Sequence, residues 1–410
     1  MEEEKVVKKK KFLSKKAGRG LVVFLSVFIV FSLGFVSGRE SNWKFSVSNK
    51  YNLTNTDEGM PEGVDFSIFW EAWKKLSDNY IGELNGEDLV YGAISGLLSS
   101  PDDPYTVFME PEDNQKFQED ISGRFDGVGV ELNLVNDVPT VVAPLSESPA
   151  EKAGLKAKDV ILEVDGTKTS EIGFEETINR IRGERGSQVT VKILRSGVAD
   201  PFDVTMTREP ITVESVKWED KNYQGKTFLL IKVRQFGNDT DTLFKQAAEA
   251  GANSKYSGVI VDFRNNPGGY FASALNMASY FIDSGVVVSE VNGSGKKKDF
   301  NTTSQTILKD KKVAILINEG SASASEIVAG ALKDRTEALL IGENSFGKGS
   351  VQQVENLSDG SAVKITVAKW LTPSGVHIDE NGIEPAIKIS ESEDENVDAV
   401  LDRALLELSK

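Results

Sequence analysis

The second half of the chain narrows the fold most. Beyond residue 210, short β-branched runs recur, and loops rich in Gly, Asn or Ser join them to helix-forming stretches. "SGVIVDF" (257–263) meets "RNNPGG" (264–269), then a helical pattern through "YFASALNMASYF". "VVVSEV" reads as a strand, and "KVAILIN" (312–318) as a strand of the buried type. The latter feeds "NEGSASASEIVAGALKDR" (318–335); "EALLIG" (337–342) and "SAVKITVAKWLT" (361–372) follow as further strands. Strands alternating with helices imply an α/β core.

Upstream the pattern differs. Residues 39–62 are polar and read as a linker. Two helical patterns follow, over 65–81 and 86–100. The first places Phe66, Phe69, Trp70, Trp73 and Leu76 on one face, the second Leu89, Ile94, Leu97 and Leu98. Such stripes are expected to be core. "PDDPYTVFMEPED" then breaks the helix with three prolines. At the far end, "DENVDAVLDRALLELSK" reads as an amphipathic helix with Val397, Leu401, Ala404 and Leu405 on one side.

Residues 1–20 carry eight Lys and Arg against three Glu, within a chain of net charge −16. The body is therefore acidic, which argues against a nucleic-acid partner. The basic arm ends at Arg19, and residues 20–38 carry no charge. Roughly 20 apolar residues span a bilayer as a helix, with about 17 as the lower limit. Basic residues on the N-terminal side place that end in the cytoplasm and the body outside it. "VSG" (36–38) matches a signal-peptide cleavage site poorly. A retained single-pass anchor is the favoured reading over a cleaved leader; both export the body.

Zero cysteines and a single histidine, His377, remove disulfides, cysteine nucleophiles and transition-metal sites. There is no EF-hand loop, and no metal or cofactor is expected. Three stretches could still carry chemistry. In "GSASASE" (320–326) the positions 321–325 are all Ser or Ala, at a strand-to-helix junction. Ser323 and Glu326 match a capping box, which accounts for those two residues and leaves the run of small ones unexplained. In "GENSFGKGSVQQV" (342–354), Gly342, Gly347 and Lys348 are spaced as in a phosphate-binding loop. Gly349 stands where that motif needs Ser or Thr, and a strand pattern soon follows. "RNNPGG" exposes backbone N–H groups suited to an oxyanion, or forms an ordinary tight turn. A serine nucleophile would need a base: His377, or a lysine held neutral by burial. Lys348, flanked by glycines, is the lysine candidate, with Gln352 placed to orient its amine without restoring its charge.

Two resemblances sharpen this reading. Residues 121–207 resemble a PDZ domain. The matching features are Gly127-Val128-Gly129-Val130 entering a strand, Ala153-Gly154-Leu155, and the strand and turn over 159–166. In such domains the glycine loop receives a peptide's C-terminal carboxylate, and the peptide adds a strand. Beyond it, Gly-Ser-Ala-Ser-Ala-Ser-Glu, then Gly-Lys-Gly and a Gln four residues after the lysine, is similar to the carboxyl-terminal processing peptidases, or tail-specific proteases. These are serine endopeptidases with a Ser-Lys dyad. The resemblance runs from about residue 62 to 390. It implies Ser323 as nucleophile, with Ser321 and Ser325 as small spacers, and Lys348, 25 positions on, as base. It further implies Gln352 as the orienting amide, backbone N–H groups near Gly269 and Ala324 as the oxyanion hole, and Glu326 in support.

The fold so implied is multidomain: a ClpP/crotonase-like α/β core with an inserted PDZ domain, an N-terminal helical segment and a transmembrane anchor. The expected order is a basic arm (1–19), the anchor (20–38), a linker (39–62), a helical region (63–120), the PDZ domain (121–207), the protease core (208–390) and a terminal helix (391–410). Expected partners are protein substrates held by their C-terminal tails and the membrane. The resemblance also implies control by the PDZ domain and a homodimer through the terminal helices. The rivals are a catalytically inactive PDZ scaffold and a nucleotide-binding P-loop protein.

Overall fold

The computed structural model describes residues 63–410, apart from 136, 304, 305, 380, 393, 395 and 396. The basic arm, the apolar run over 20–38 and the linker lie outside the described residues. Among the described residues no helix is long and apolar enough to cross a membrane.

The chain divides into two compact units, Met1–Val90 and Tyr91–Lys410. In the first, α1 (Ser67–Asn79) buries none of its residues. The aromatic stripe is therefore not core: Phe66 and Trp70 stay exposed. Its rings pack on one another, Phe69 against Trp70 at 4.8 Å and Trp70 against Trp73 at 6.2 Å. They shield one another's faces. The next helix, α2 (Gly86–Ser99), buries only Gly86 and leaves Leu97 exposed.

After β1 (Val107–Met109) and α3 (Pro111–Ser122) the chain forms a small α+β layer. Its strands are β2 (Arg124–Gly127), β3 (Val130–Val135), β4 (Val138–Pro144), β5 (Val160–Val164), β6 (Thr167–Lys168), β7 (Gln188–Leu194), β8 (Phe202–Thr207) and β9 (Glu209–Thr212). Two helices accompany them, α4 (Pro149–Lys152) and α5 (Thr169–Ile181). The main sheet runs β3-β4-β5-β7-β8, so β3 is an edge, while β2 pairs with β9 apart from it. Alternate residues of β7, Val189, Val191 and Ile193, face a core shared with Val128, Ala150 and Ile161, as the two-residue period of a strand requires.

The core domain holds two sheets. The first orders β10 (Val216–Tyr223), β11 (Lys226–Val233), β12 (Tyr256–Asp262), β15 (Val313–Ile317), β16 (Leu339–Gly342) and β19 (Ile387–Lys388), parallel from β11 onward. In β11, β12, β15 and β16 both faces are buried, which is why these four read as apolar runs. Leu229, Ile231, Val259 and Ile315 pack under α6 (Thr240–Gly251), α7 (Phe271–Ser279) and α8 (Ala324–Arg335). Phe228, Leu230, Ile260 and Leu316 point the other way, onto Val400, Leu401, Ala404, Leu405 and Leu408 of α9 (Ala399–Ser409). The apolar stripe of α9 thus serves its own sheet. Val397, expected on that stripe, precedes the helix and is exposed.

The second sheet is antiparallel: β1, β13 (Val286–Asn292), β14 (Lys297–Asn301), β17 (Ser350–Asn356) and β18 (Ala362–Leu371). β18 is its hub and pairs with β1, β13 and β17.

Candidate active site

Three loops converge at the carboxyl ends of β12, β15 and β16, where open α/β sheets place their ligands. The loop after β12 carries 264–269, that after β15 carries 318–323, and that after β16 carries 343–349. The first two are stitched together. Buried Asn266 donates its side-chain amide to the Val233 carbonyl at 2.7 Å and accepts the Gly268 N–H at 2.9 Å. Its backbone carbonyl takes the Ala322 N–H at 2.9 Å and the Ser325 hydroxyl at 3.0 Å. The Ser321 hydroxyl donates to the Phe263 carbonyl at 2.8 Å. Ser321 and Ser325 are therefore fasteners between loops, where the sequence suggested only small spacers.

Ser323 stands between them at the start of α8, with φ 54° and ψ −113°. A non-glycine residue there is strained by roughly 1–3 kcal/mol, a cost borne where the surroundings fix it. Gly268 shows how tight those surroundings are. A Cβ at that position would lie 2.7 Å from Ser323 Cβ and 2.9 Å from the Ala324 nitrogen. Gly268 has φ 100° and Gly269 has φ 134°, both in the region that favours glycine. Phe236 grips this turn from both sides: its N–H donates to the Gly268 carbonyl, and its carbonyl accepts the Tyr270 N–H, each at 2.8 Å. Among the described residues no hydrogen bond uses the N–H of Gly269 or of Ala324.

Glu326 is fully buried one helical turn on. Its carboxylate accepts four donors: the Ser323 N–H at 2.8 Å, the Lys348 N–H at 3.0 Å, the Gly347 N–H at 2.7 Å and the Ser345 hydroxyl at 2.7 Å. Burial raises its pKa, and those donors work against the rise. The same bonds exclude the phosphate-loop reading. The N–H groups of Gly347 and Lys348 already serve a carboxylate, and a strand follows the loop where a helix would be needed.

Lys348 and Ser323 line one cavity of about 470 Å³, together with Gly268, Gly269, Ala324, Gln352 and Lys364. Its apolar wall includes Phe117, Ile121, Phe271, Ile327 and Trp370. The Lys348 ammonium lies 5.0 Å from the centre of the Tyr105 ring, and the Trp370 indole N–H holds its carbonyl at 2.8 Å. Burial, then the charge of Lys364, holds the Lys348 pKa below its ordinary value, against the pull of Glu326 and Asp103. Gln352 reaches the cavity, but its side-chain amide donates to the hydroxyls of Ser350 (2.9 Å) and Thr366 (3.3 Å) and makes no hydrogen bond to Lys348. His377 sits behind the lysine loop, its Nε2 3.1 Å from the Gly349 carbonyl, and does not line the cavity.

Sequence reading missed three neighbours of the lysine. Asp103 and Tyr105 come from the proline-rich break, and Lys364 from β18. Burial opposes the Asp103 carboxylate, yet bonds from Thr106, Thr366 and Tyr105 and the charge of Lys348 hold its pKa below the usual range.

The glycine loop over 127–130 is also ordered by its neighbours. Val128 is buried, and Gly129 has φ 70° with Ser148 packed against it. The Val128 carbonyl accepts the Ala150 N–H at 2.8 Å and the Gly129 carbonyl accepts the Leu145 N–H at 2.9 Å. Planar trans peptides then turn the following N–H groups, of Gly129 and Val130, the opposite way. Val130 opens the edge strand β3, and Gly127 closes β2.

Comparison with known proteins agrees with this architecture. The profile of Peptidase family S41 matches residues 227–389, that of a PDZ domain 140–195, and that of the activating protease CtpB N-terminal domain 32–113. The chain is 35% identical over 385 residues to a probable CtpA-like serine protease of Staphylococcus epidermidis, covering 93% of this chain and 74% of that one. It is 36% identical over 324 residues to the carboxy-terminal processing protease CtpB of Bacillus subtilis, covering 78% and 67%. Among solved structures it is similar to a photosystem II D1 C-terminal processing protease, with a TM-score of 0.53 and 31% identity over 85% of this chain and 93% of that one. The chain belongs to peptidase family S41, as a serine-type peptidase of the carboxy-terminal processing group that carries a PDZ domain.

Proposed function

We propose that the protein is a membrane-anchored endopeptidase that works outside the cytoplasm through a Ser323–Lys348 dyad. The observation that carries the dyad is the shared cavity: a strained serine at a helix start and a half-buried lysine of lowered pKa line it together. A substrate tail adds a strand along β3, its carboxylate received by the loop of Gly127, Val128, Gly129 and Val130. The scissile bond then lies across the cavity. Ser323 Oγ attacks the carbonyl carbon while the neutral Lys348 amine takes its proton. The free N–H groups of Gly269 and Ala324 hold the oxyanion, worth roughly 3 kcal/mol each. The C–N bond breaks, and the Lys348 ammonium returns the proton to the leaving amine. Water, deprotonated by the same amine, cleaves the acyl-serine ester and releases the new carboxyl terminus. Gln352 borders this path on the β17 side, and Glu326 fixes both catalytic loops.

The uncharged run over 20–38 supports the anchor, and the exposed apolar face of α1 supports a homodimer. Casein digestion by the full-length protein tests the dyad. Ser323→Ala and Lys348→Ala are expected to abolish cleavage and His377→Ala to spare it. Cleavage that survives Ser323→Ala, or that is lost only in His377→Ala, overturns the assignment.

A further inference from the structure

The cavity holds a second lysine that the dyad chemistry does not use. On the paired strands, Gln352 stands opposite Thr366 and Val354 opposite Lys364. Residues two apart in a strand share one face. Ser350, Val351, Gln352 and Val354 all line the cavity across a register shift between Val351 and Gln352; Lys348 precedes this strand at one end, and Lys364 lines the cavity opposite Val354 toward the other. Lys364 is half-buried, and its nearest aromatic face is the Phe117 ring, 5.9 Å away. Among the described residues its ammonium has no hydrogen bond and no ion pair. Half-buried cations are ordinarily paired, so its place on this wall calls for a role.

The charged and titratable groups around the two lysines come from several elements. Glu326 belongs to α8, Asp103 and Tyr105 to the segment before β1, Asp120 to α3, Lys348 to the loop before β17 and Lys364 to β18, while Asp379 acts on Tyr105 from the segment after β18. Glu326 and Asp103 both favour a protonated Lys348. A general base needs the opposite.

We propose that Lys364 is a positioning residue for the acyl-transfer reaction: its positive charge at the far end of the cavity offsets the two carboxylates and leaves the Lys348 amine free to take the Ser323 proton. The inference rests on Lys348 as general base. After burial, Lys364 is the next largest influence holding Lys348 below the ordinary lysine range. Burial lowers Lys364 too, but Asp103 opposes that. The two amines titrate as a pair, and the charge on each favours loss of the other's proton.

The test is the pH profile of kcat/KM for casein cleavage by full-length wild type, Lys364→Met, Lys364→Arg and Lys348→Ala. Lys364→Met removes the charge and keeps most of the packing. Its acid limb is expected to move up by about one pH unit, with roughly tenfold lower activity on that limb and recovery at higher pH. Lys364→Arg keeps the charge and is expected to keep the limb in place. A Lys364→Met limb that stays put, with activity lowered equally at every pH or with only KM raised, overturns the inference and makes Lys364 a packing or substrate contact. Activity that survives Lys348→Ala overturns the dyad instead. Thermal unfolding of each variant separates either outcome from loss of the fold.

Discussion

The backbone N–H groups of Ser323 and Lys348 meet on a single oxygen, Oε2 of Glu326, at 2.8 and 3.0 Å. Two loops that leave different strands are thereby held at one spacing. The remaining carboxylate oxygen takes Ser345 and Gly347 from the lysine loop. The two residues are positioned through their backbones, which leaves their side chains for the proposed proton transfer.

Removing that carboxylate should therefore damage geometry before chemistry. Glu326→Ala leaves four donors without an acceptor in a buried site. Each unsatisfied buried group costs roughly 1–3 kcal/mol. The expected result is a clear drop in melting temperature together with a kcat loss of at least about 100-fold. Glu326→Gln, which keeps an acceptor oxygen, should fall between this variant and wild type in both measurements. An alanine variant with unchanged melting and activity would contradict the bridging role.

The reaction should run faster as pH rises. Protonated Lys348 cannot act as a base, and its folded pKa lies below the ordinary 10.5. The active, neutral form is thus reached at a lower pH than for a free lysine, and kcat/KM climbs through that depressed value. A pH–rate profile with no ascending limb below the ordinary lysine value would rule this out.

Gly268 should tolerate no side chain. Alanine there meets Ser323 Cβ and the Ala322 carbonyl, 2.7 and 2.8 Å away, from a backbone with φ 100°. Displacing the serine or its neighbouring N–H by about 1 Å lowers kcat by roughly 100-fold. Steady-state kinetics on Gly268→Ala should show that loss mainly in kcat, and an alanine variant of full activity would refute the close approach.

Tail capture predicts a preference for a free carboxylate. Amidating the C-terminus of a peptide substrate removes the charge that the loop over 127–130 receives. KM should rise by roughly tenfold or more, the value of a charge-assisted hydrogen bond. Equal KM values for acid and amide would dismiss this role for the loop.

The membrane topology can be read with one added thiol, because the chain has no cysteine of its own. Lys296 is exposed on the core domain. In intact cells Lys296→Cys should react with a membrane-impermeant maleimide, and the labelled protein should sediment with membranes. Labelling only after lysis would place the body in the cytoplasm.

Much of the cavity's lining could be read from local pattern. Small residues flag Ser323, flanking glycines flag Lys348, and "PGG" flags the turn that offers its N–H groups, because each effect lies within a few positions. Asp103, Tyr105 and Lys364 could not be found that way. Asp103 and Tyr105 reach Lys348 only because β1 pairs with β18, bringing Val107 opposite Lys364 across a long stretch of chain. Periodicity also misjudged α1: its aromatic spacing shows that the helix has an apolar face and says nothing of what covers it. Gln352 lies in the expected cavity, but two hydroxyls, Ser350 and Thr366, hold the amide that the motif assigned to the lysine. Glu326 was legible as a cap, while its grip on the lysine loop required the fold.

The proposed nucleophile and the proposed base border different sheets. Ser323 follows β15 of the parallel sheet, and Lys348 runs into β17, whose partner β18 must also recruit β1 and β13. On the proposed dyad, a newly made chain whose antiparallel sheet is unformed would lack the wall of β17 and β18 that closes the cavity around Lys348. Such a chain would be slow to cleave its unfolded siblings, which share its surroundings. Dividing the proposed active site between two sheets would then act as a safety catch, released only when folding is complete.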